Sequence, residues 1–192
     1  MKKKVIVAPL HWGLGHASRC VPIINSLLEN NYTPIIASDG NALQFLKQEF
    51  PNLESFELPS YHISYGRNLK LKILSQLPTI VKSVQQEKKI INDFILKNKD
   101  VVGVISDNRF GVRSSLVPSV YLTHQINVLS GATTFFSSFL HQKIIKTYDE
   151  CWIPDTSDSQ FSGKLSSTKN LNYKFIGVLS RFKKEVVEKK LI

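Results

Sequence analysis

A chain of 192 residues with 42% apolar and 21% charged side chains has the make-up of one folded domain, or of one half of a two-domain enzyme. No apolar run approaches the roughly 20 residues needed to cross a bilayer, which excludes a helical membrane span. The net charge of +10 directs attention to anionic partners, while neither an aromatic RNP-type strand nor a basic recognition helix is present to suggest nucleic acid.

Lys2-Lys3-Lys4 is followed by only about six apolar residues before His11, too few for a signal peptide, so the cytoplasm is the expected compartment. Cys20 and Cys151 lie far apart with no zinc spacing and are expected as buried, reduced thiols. No His, Asp or Glu set has metal-ligand spacing, and no metal is expected.

Val5-Ile6-Val7-Ala8 reads as a short buried strand, followed by a turn containing Gly13 and Gly15 and then a helix running through Leu28. The two glycines let the backbone turn tightly and approach a ligand. The helix behind them points free N–H groups and its positive end at the turn, making an anion site. His16, Ser18 and Arg19 lie in its first turn and reach toward the same ligand. Residues 32–38 read as a second strand ending at Asp39-Gly40, and 41–50 as a short amphipathic helix stopped by Pro51. Residues 53–58 alternate as a third strand, and a polar loop with His62 follows.

From Leu69 to Lys97 apolar residues recur at a helical period, with Pro78 expected to kink or divide the helix. Lys70, Lys72, Lys82, Lys88 and Lys89 occupy its other faces, as a solvated side or a surface for acidic lipid. Residues 101–106 are nearly all apolar, as in a central parallel strand, and lead into Asp107-Asn108-Arg109. A strand over 120–123 ends at His124-Gln125. A helix over 133–148 carries Phe135, Phe136 and Phe139, expected in the core. Strands over 150–154 and 173–177 follow, separated by a loop, and 183–190 reads as a charged helix or frayed tail.

Strands alternating with helices predict an α/β fold, a Rossmann-like parallel sheet flanked by helices. In such sheets ligands bind beyond the carboxyl ends of the strands. Gly13 to Arg19, Asp39, Asp107 to Arg109 and His124-Gln125 all fall on that rim.

Two readings of the rim stay open. Gly13-Leu14-Gly15-His16-Ala17-Ser18 nearly fits G-x-G-x-x-G, with Asp39 about 20 residues on to hold a ribose hydroxyl, which suggests an NAD(P)-binding domain. Against it, Gly13 comes five positions after Ala8, whereas the dinucleotide turn follows its strand almost directly. The other reading comes from Gly13 to Arg19, Ile105 to Gly111, Tyr121 to Gln125, Phe161 to Ser166 and Phe175 to Phe182. In these segments, taken in order, the chain resembles the GT-B glycosyltransferases, particularly the MurG-like branch that glycosylates lipid-linked acceptors.

The resemblance implies that residues 1–180 are the N-terminal, acceptor-binding domain of a GT-B two-domain architecture and that 181–192 begin the linker. The C-terminal domain, which holds most of the nucleotide-sugar site in that family, is absent from these 192 residues, so independent catalysis is not expected. Sugar transfer needs the acceptor hydroxyl deprotonated and the leaving diphosphate stabilised. His16 is the candidate base, since an imidazole titrates near neutrality. Asp107 is expected to orient it or to bind an acceptor hydroxyl. Diphosphate oxygens are assigned to the N–H groups after Gly13 and Gly15, with Ser18 beside them, and to Arg19 and Arg109. His124 and Gln125 are expected to contact the acceptor. The expected partners are a nucleotide-sugar co-substrate with no further cofactor, a glycan or lipid-linked acceptor, an anionic membrane at the inner face, and a partner domain or subunit. A nucleotide-sugar epimerase and a non-catalytic binding half are the alternatives in other classes.

Overall fold

Alternation along Val5–Ala8 divides the first strand between two cores. Ile6 and Ala8 pack with Ile91, Ile95 and Val104, while Val7 packs on the other face with Ala17, Cys20, Val21 and Ile24. Each isoleucine so buried contributes about 1.5–3 kcal/mol. The computed structural model describes residues 2–61, 69–128, 134–158, 161–166 and 172–182, the side chains of 69–75, 77, 134–136 and 164 excepted.

Among the described residues seven parallel strands form one sheet in the order β3-β2-β1-β4-β5-β6-β7. They are β1 (Lys4–Pro9), β2 (Thr33–Ser38), β3 (Ser55–Glu57), β4 (Val101–Asp107), β5 (Ser119–Leu122), β6 (Glu150–Ile153) and β7 (Tyr173–Phe175). The helices are α1 (Leu14–Glu29), α2 (Gly40–Glu49), α3 (Leu69–Lys97) and α4 (Thr134–Ile145). Helices α1 and α2 cover the face to which Val7 and Ile36 point. Helix α3 covers Ile6 and Ile35 on the other face, and Tyr121 and Ile153 pack with Ile145 of α4. The α/β, Rossmann-like expectation is met, with β4 central beside β1.

Two local expectations change. Helix α3 is not divided at Pro78. Its buried stripe of Ser83, Glu87, Ile91 and Ile95 holds the segment on the sheet against a proline cost of about 3 kcal/mol. Phe139 is 47% exposed rather than core, with Lys143 Nζ 4.7 Å from its ring centroid; the side chains of Phe135 and Phe136 lie outside the described residues. The link from β4 to β5 contains no helix: Val112 sits in the α3 core, and Ser114 Oγ donates to Asn92 Oδ1 at 2.7 Å. His62 and residues 183–190 lie outside the described residues. Both cysteines are buried free thiols.

Candidate functional site

The strand order turns back between β1 and β4, and the carboxyl ends of those two strands form the switch point where α/β sheets hold ligands. Pro9 lies in register with Asp107, and Leu10 N–H donates to Asp107 O at 2.9 Å, which fixes the turn before α1 against the end of β4. Gly13 is the cap residue of α1, with φ +78° and ψ 172°, a conformation that L side chains rarely adopt. It provides no side-chain cap and no acidic residue follows in the first turn, so the helix's positive end faces the rim uncompensated by its own side chains.

His16 and Arg19 are three residues apart on α1, hence neighbours on one helix face, and both reach Asp107. His16 Nδ1 lies 2.9 Å from Asp107 Oδ1. Arg19 grips the same carboxylate with Nε at 2.6 Å from Oδ2 and with Nη2 on Oδ1, a bidentate pair. Arg19 Nη1 is 2.9 Å from His124 Nδ1, which brings in the residue beyond β5. Nη2 also approaches His16 Nδ1 at 2.9 Å, but one ring nitrogen cannot donate to the carboxylate and accept from the guanidinium together. The carboxylate wins, because a charge-assisted bond is about twice as strong as a neutral one. His16 therefore carries its proton on Nδ1, and its Nε2 is a base.

Asp107 is fully buried. Burial alone would raise its pKa, but the charge of Arg19 and the hydrogen bonds from Arg19 and His16 outweigh that and hold it below the ordinary carboxylate value. His124 is pushed the other way for a base: burial first, then the charge of Arg19, lower its pKa. At neutral pH the cluster thus contains an ionised Asp107, a charged Arg19 and a neutral His124.

Four of the expected site residues, His16, Arg19, Asp107 and His124, are therefore brought together. Arg109 is not among them. Asn108, with φ +58°, turns the chain after β4, and Arg109 points inward with no exposed surface. Its Nε donates to Glu87 Oε1 at 2.7 Å, Nη1 to Asp39 Oδ1 at 2.6 Å and Nη2 to Pro59 O at 2.6 Å. It cannot meet a phosphate, so that assignment is withdrawn. Asp39 is engaged by Arg109 and by His11 at 3.3 Å, which removes the ribose-binding role the dinucleotide reading needs. Arg19, with Nε, Nη1 and Nη2 all bonded within the cluster, braces the site instead of presenting a free phosphate fork. Ser18 donates to Gly15 O at 3.4 Å, and Gln125 N–H donates to Thr123 Oγ1 at 3.0 Å; neither bonds to the cluster among the described residues. Gly13 and Gly15 are exposed, and a Cβ at either would meet nothing within 4 Å.

The sequence reading missed Glu87 and Tyr61. Glu87, fully buried on α3, accepts from Arg109, from Tyr61 Oη at 2.7 Å and from Gly111 N–H at 2.9 Å. Its place in the stripe 80, 84, 87, 91 was the available signal.

Two clefts adjoin these clusters. One of about 320 Å³ is lined by Arg19, His124, Asp155, Phe161, Leu165 and Val178. Asp155 there is buried, which opposes ionisation. It nonetheless accepts from Ser162 Oγ and from the N–H groups of Ser162, Thr156 and Phe161, and its pKa is pulled down to about 2. The other, about 600 Å³, runs between α3 and α4 past Ile80, Val84, Leu140 and Ile144, with Arg113 and Lys143 beside it. Among the described residues no helix is long and apolar enough to cross a membrane.

No family model matches the chain, and no curated protein sequence matches it. Several solved structures do. LpCGTa in complex with UDP aligns with a TM-score of 0.60 at 10% identity, over 93% of this chain and 53% of that one. A UDP-glucosyltransferase from Polygonum tinctorium, capable of glucosylating indoxyl, aligns at 0.57 and 12% identity over 81% of this chain and 47% of that one. A putative UDP-N-acetylglucosamine 2-epimerase from Listeria monocytogenes aligns at 0.52 and 12% identity, over 84% and 42%. The chain spans about half the length of the structures it matches. What is shared at such identity is the fold, and that fold is the Rossmann-like N-terminal half of the GT-B architecture.

Proposed function

We propose that this chain is the acceptor-binding half of a glycosyltransferase that moves a sugar from a nucleotide-sugar donor to a hydroxyl acceptor. The observation that carries this reading is the His16–Asp107 pair, 2.9 Å apart, at the mouth of an uncapped helix start. The acceptor oxygen attacks the anomeric carbon, and the bond from that carbon to the diphosphate oxygen breaks with its electron pair. The acceptor's proton passes to His16 Nε2. Ionised Asp107 holds the ring in the right tautomer and stabilises the imidazolium that forms. The N–H groups at the start of α1 face the charge on a diphosphate.

The sequence resemblance to the MurG-like branch and the groove between α3 and α4, with its Arg113 and Lys143, are the grounds for proposing an acceptor carried on a lipid at an anionic cytoplasmic membrane face. The donor's nucleotide is assigned to a second domain or subunit, so transfer is expected only when that half is supplied. The epimerase reading shares the fold and is separated by product analysis, since it needs no acceptor.

The test is His16→Ala in a protein carrying both halves, with donors and acceptors screened beforehand. Turnover should fall by about 10²- to 10⁴-fold with the melting temperature unchanged. Near-normal turnover would remove His16 as the base.

A further inference from the structure

His124 differs from His16 in what faces its Nδ1. The only hydrogen-bonding group described there is Arg19 Nη1 at 2.9 Å, and a guanidinium can donate but never accept. A proton on Nδ1 would set donor against donor, so this nitrogen must accept and the ring proton must sit on Nε2. His16 Nδ1 faces a carboxylate and must donate. One ion pair, Asp107 with Arg19, thereby dictates both tautomers, the anion through one ring and the cation through the other.

We propose that the Asp107–Arg19 pair locks His16 and His124 in opposite neutral tautomers, so that His124 offers Nε2–H to a ligand oxygen in the adjoining cleft while His16 offers a bare Nε2. The proposal rests on the transferase reading only for the word ligand: the oxygen is a hydroxyl or phosphate oxygen of the acceptor. His124 then selects for an oxygen acceptor at the cleft lined by Asp155, Phe161, Leu165 and Val178. Arg19 is a positioning residue, because its donors are engaged by Asp107 and His124. The neutral state of His124 is consistent with its lowered pKa, set by burial and by Arg19 against Asp107 and Asp155.

Long-range proton–nitrogen spectra of the uniformly ¹⁵N-labelled 192-residue chain, above neutral pH, read the tautomers directly. His16 should show a protonated Nδ1 and a bare Nε2, and His124 the reverse. Finding both rings in one tautomer, or His124 protonated on Nδ1, would overturn the proposal without reference to any activity. Arg19→Lys keeps the charge but cannot hold both partners, so it should release the His124 tautomer and leave that of His16; an unchanged His124 would also overturn it. In a transfer assay, His124→Phe should raise the acceptor KM about 2- to 10-fold and leave the pH profile of kcat in place. A moved kcat profile would make His124 a proton-transfer group and refute the assignment. Opposite tautomers in the chain, with no transfer by a protein carrying both halves across the donor and acceptor screen, would discard the transferase reading and keep the lock.

Discussion

Glu87 is the residue whose replacement most directly tests how the rim is held. Its carboxylate is fully buried and takes three donors, Arg109 Nε at 2.7 Å, Tyr61 Oη at 2.7 Å and Gly111 N–H at 2.9 Å. In Glu87→Gln one oxygen remains for Tyr61 and Gly111, while the new NH₂ faces the Arg109 N–H. Arg109, with no exposed surface, keeps one counter-charge in Asp39, but its Nε–H loses its acceptor and meets another donor inside the core. Leaving a buried charged donor unsatisfied costs about 1–3 kcal/mol. For a chain of this size each kcal/mol lowers the melting temperature by about 2–4 °C, so a drop of about 2–12 °C is expected. Thermal melts and urea midpoints measure it. Arg109→Met should cost more, because it leaves both Glu87 and Asp39 buried without their cation. A drop below about 2 °C for Glu87→Gln would refute the reasoning, since it would mean that the pair is solvated and that α3 is held by its apolar stripe alone.

Acid sensitivity follows from Asp107 and Asp155, whose folded pKa values lie below the ordinary 3.8, that of Asp155 at about 2. Between those values the unfolded chain binds protons that the folded chain refuses, so stability is lost as pH falls from about 4 to about 2. Asp155→Asn should flatten that slope in urea unfolding, and an unchanged slope would count against it. Glu87, raised by burial against the pull of Arg109, acts in the opposite sense and in a window above 4.5. The membrane reading predicts co-sedimentation with anionic vesicles that weakens with salt, and about fivefold weaker binding for each of Arg113→Gln and Lys143→Gln. Equal binding to neutral vesicles would set that reading aside.

The inner strands were legible as short apolar runs, β1, β2 and β4 being buried along most of their length, while the edge strands β3 and β7 were marked by alternation, with Glu57 and Lys174 exposed. The rim residues were legible for a related reason: strand ends must place their next polar residues at one edge of a parallel sheet. What could not be read was which way those residues turn. Asp107 and Arg109 are two positions apart and were assigned to one surface. A left-handed Asn108 between them sends one carboxylate to α1 and the guanidinium to α3. Glu87 was hidden for the converse reason, since a charged residue in a helix that also carries exposed lysines looks like another solvated side chain. Its partner lies 22 positions away and is joined to it only by the tertiary fold.

Gly15 separates what the fold requires from what a ligand requires. Gly13 needs its glycine, because φ is +78° there. Gly15 has no such conformation, sits within α1, and a Cβ built on it meets nothing within 4 Å. By folding alone, Gly15→Ala should be stabilising by about 0.4–1 kcal/mol through the restricted unfolded chain, a rise of about 1–4 °C in melting temperature. The anion-site reading predicts the opposite for function: the added methyl stands where a diphosphate must approach the backbone, and the KM of the diphosphate-bearing substrate should rise about tenfold or more. Gly13→Ala offers the contrast, since strain there lowers stability by about 1–3 kcal/mol whatever binds. A Gly15→Ala protein that is more stable and unchanged in KM would show that the helix start is bare for reasons other than a ligand. A diphosphate, if one binds, would then have to be held by groups other than the start of α1.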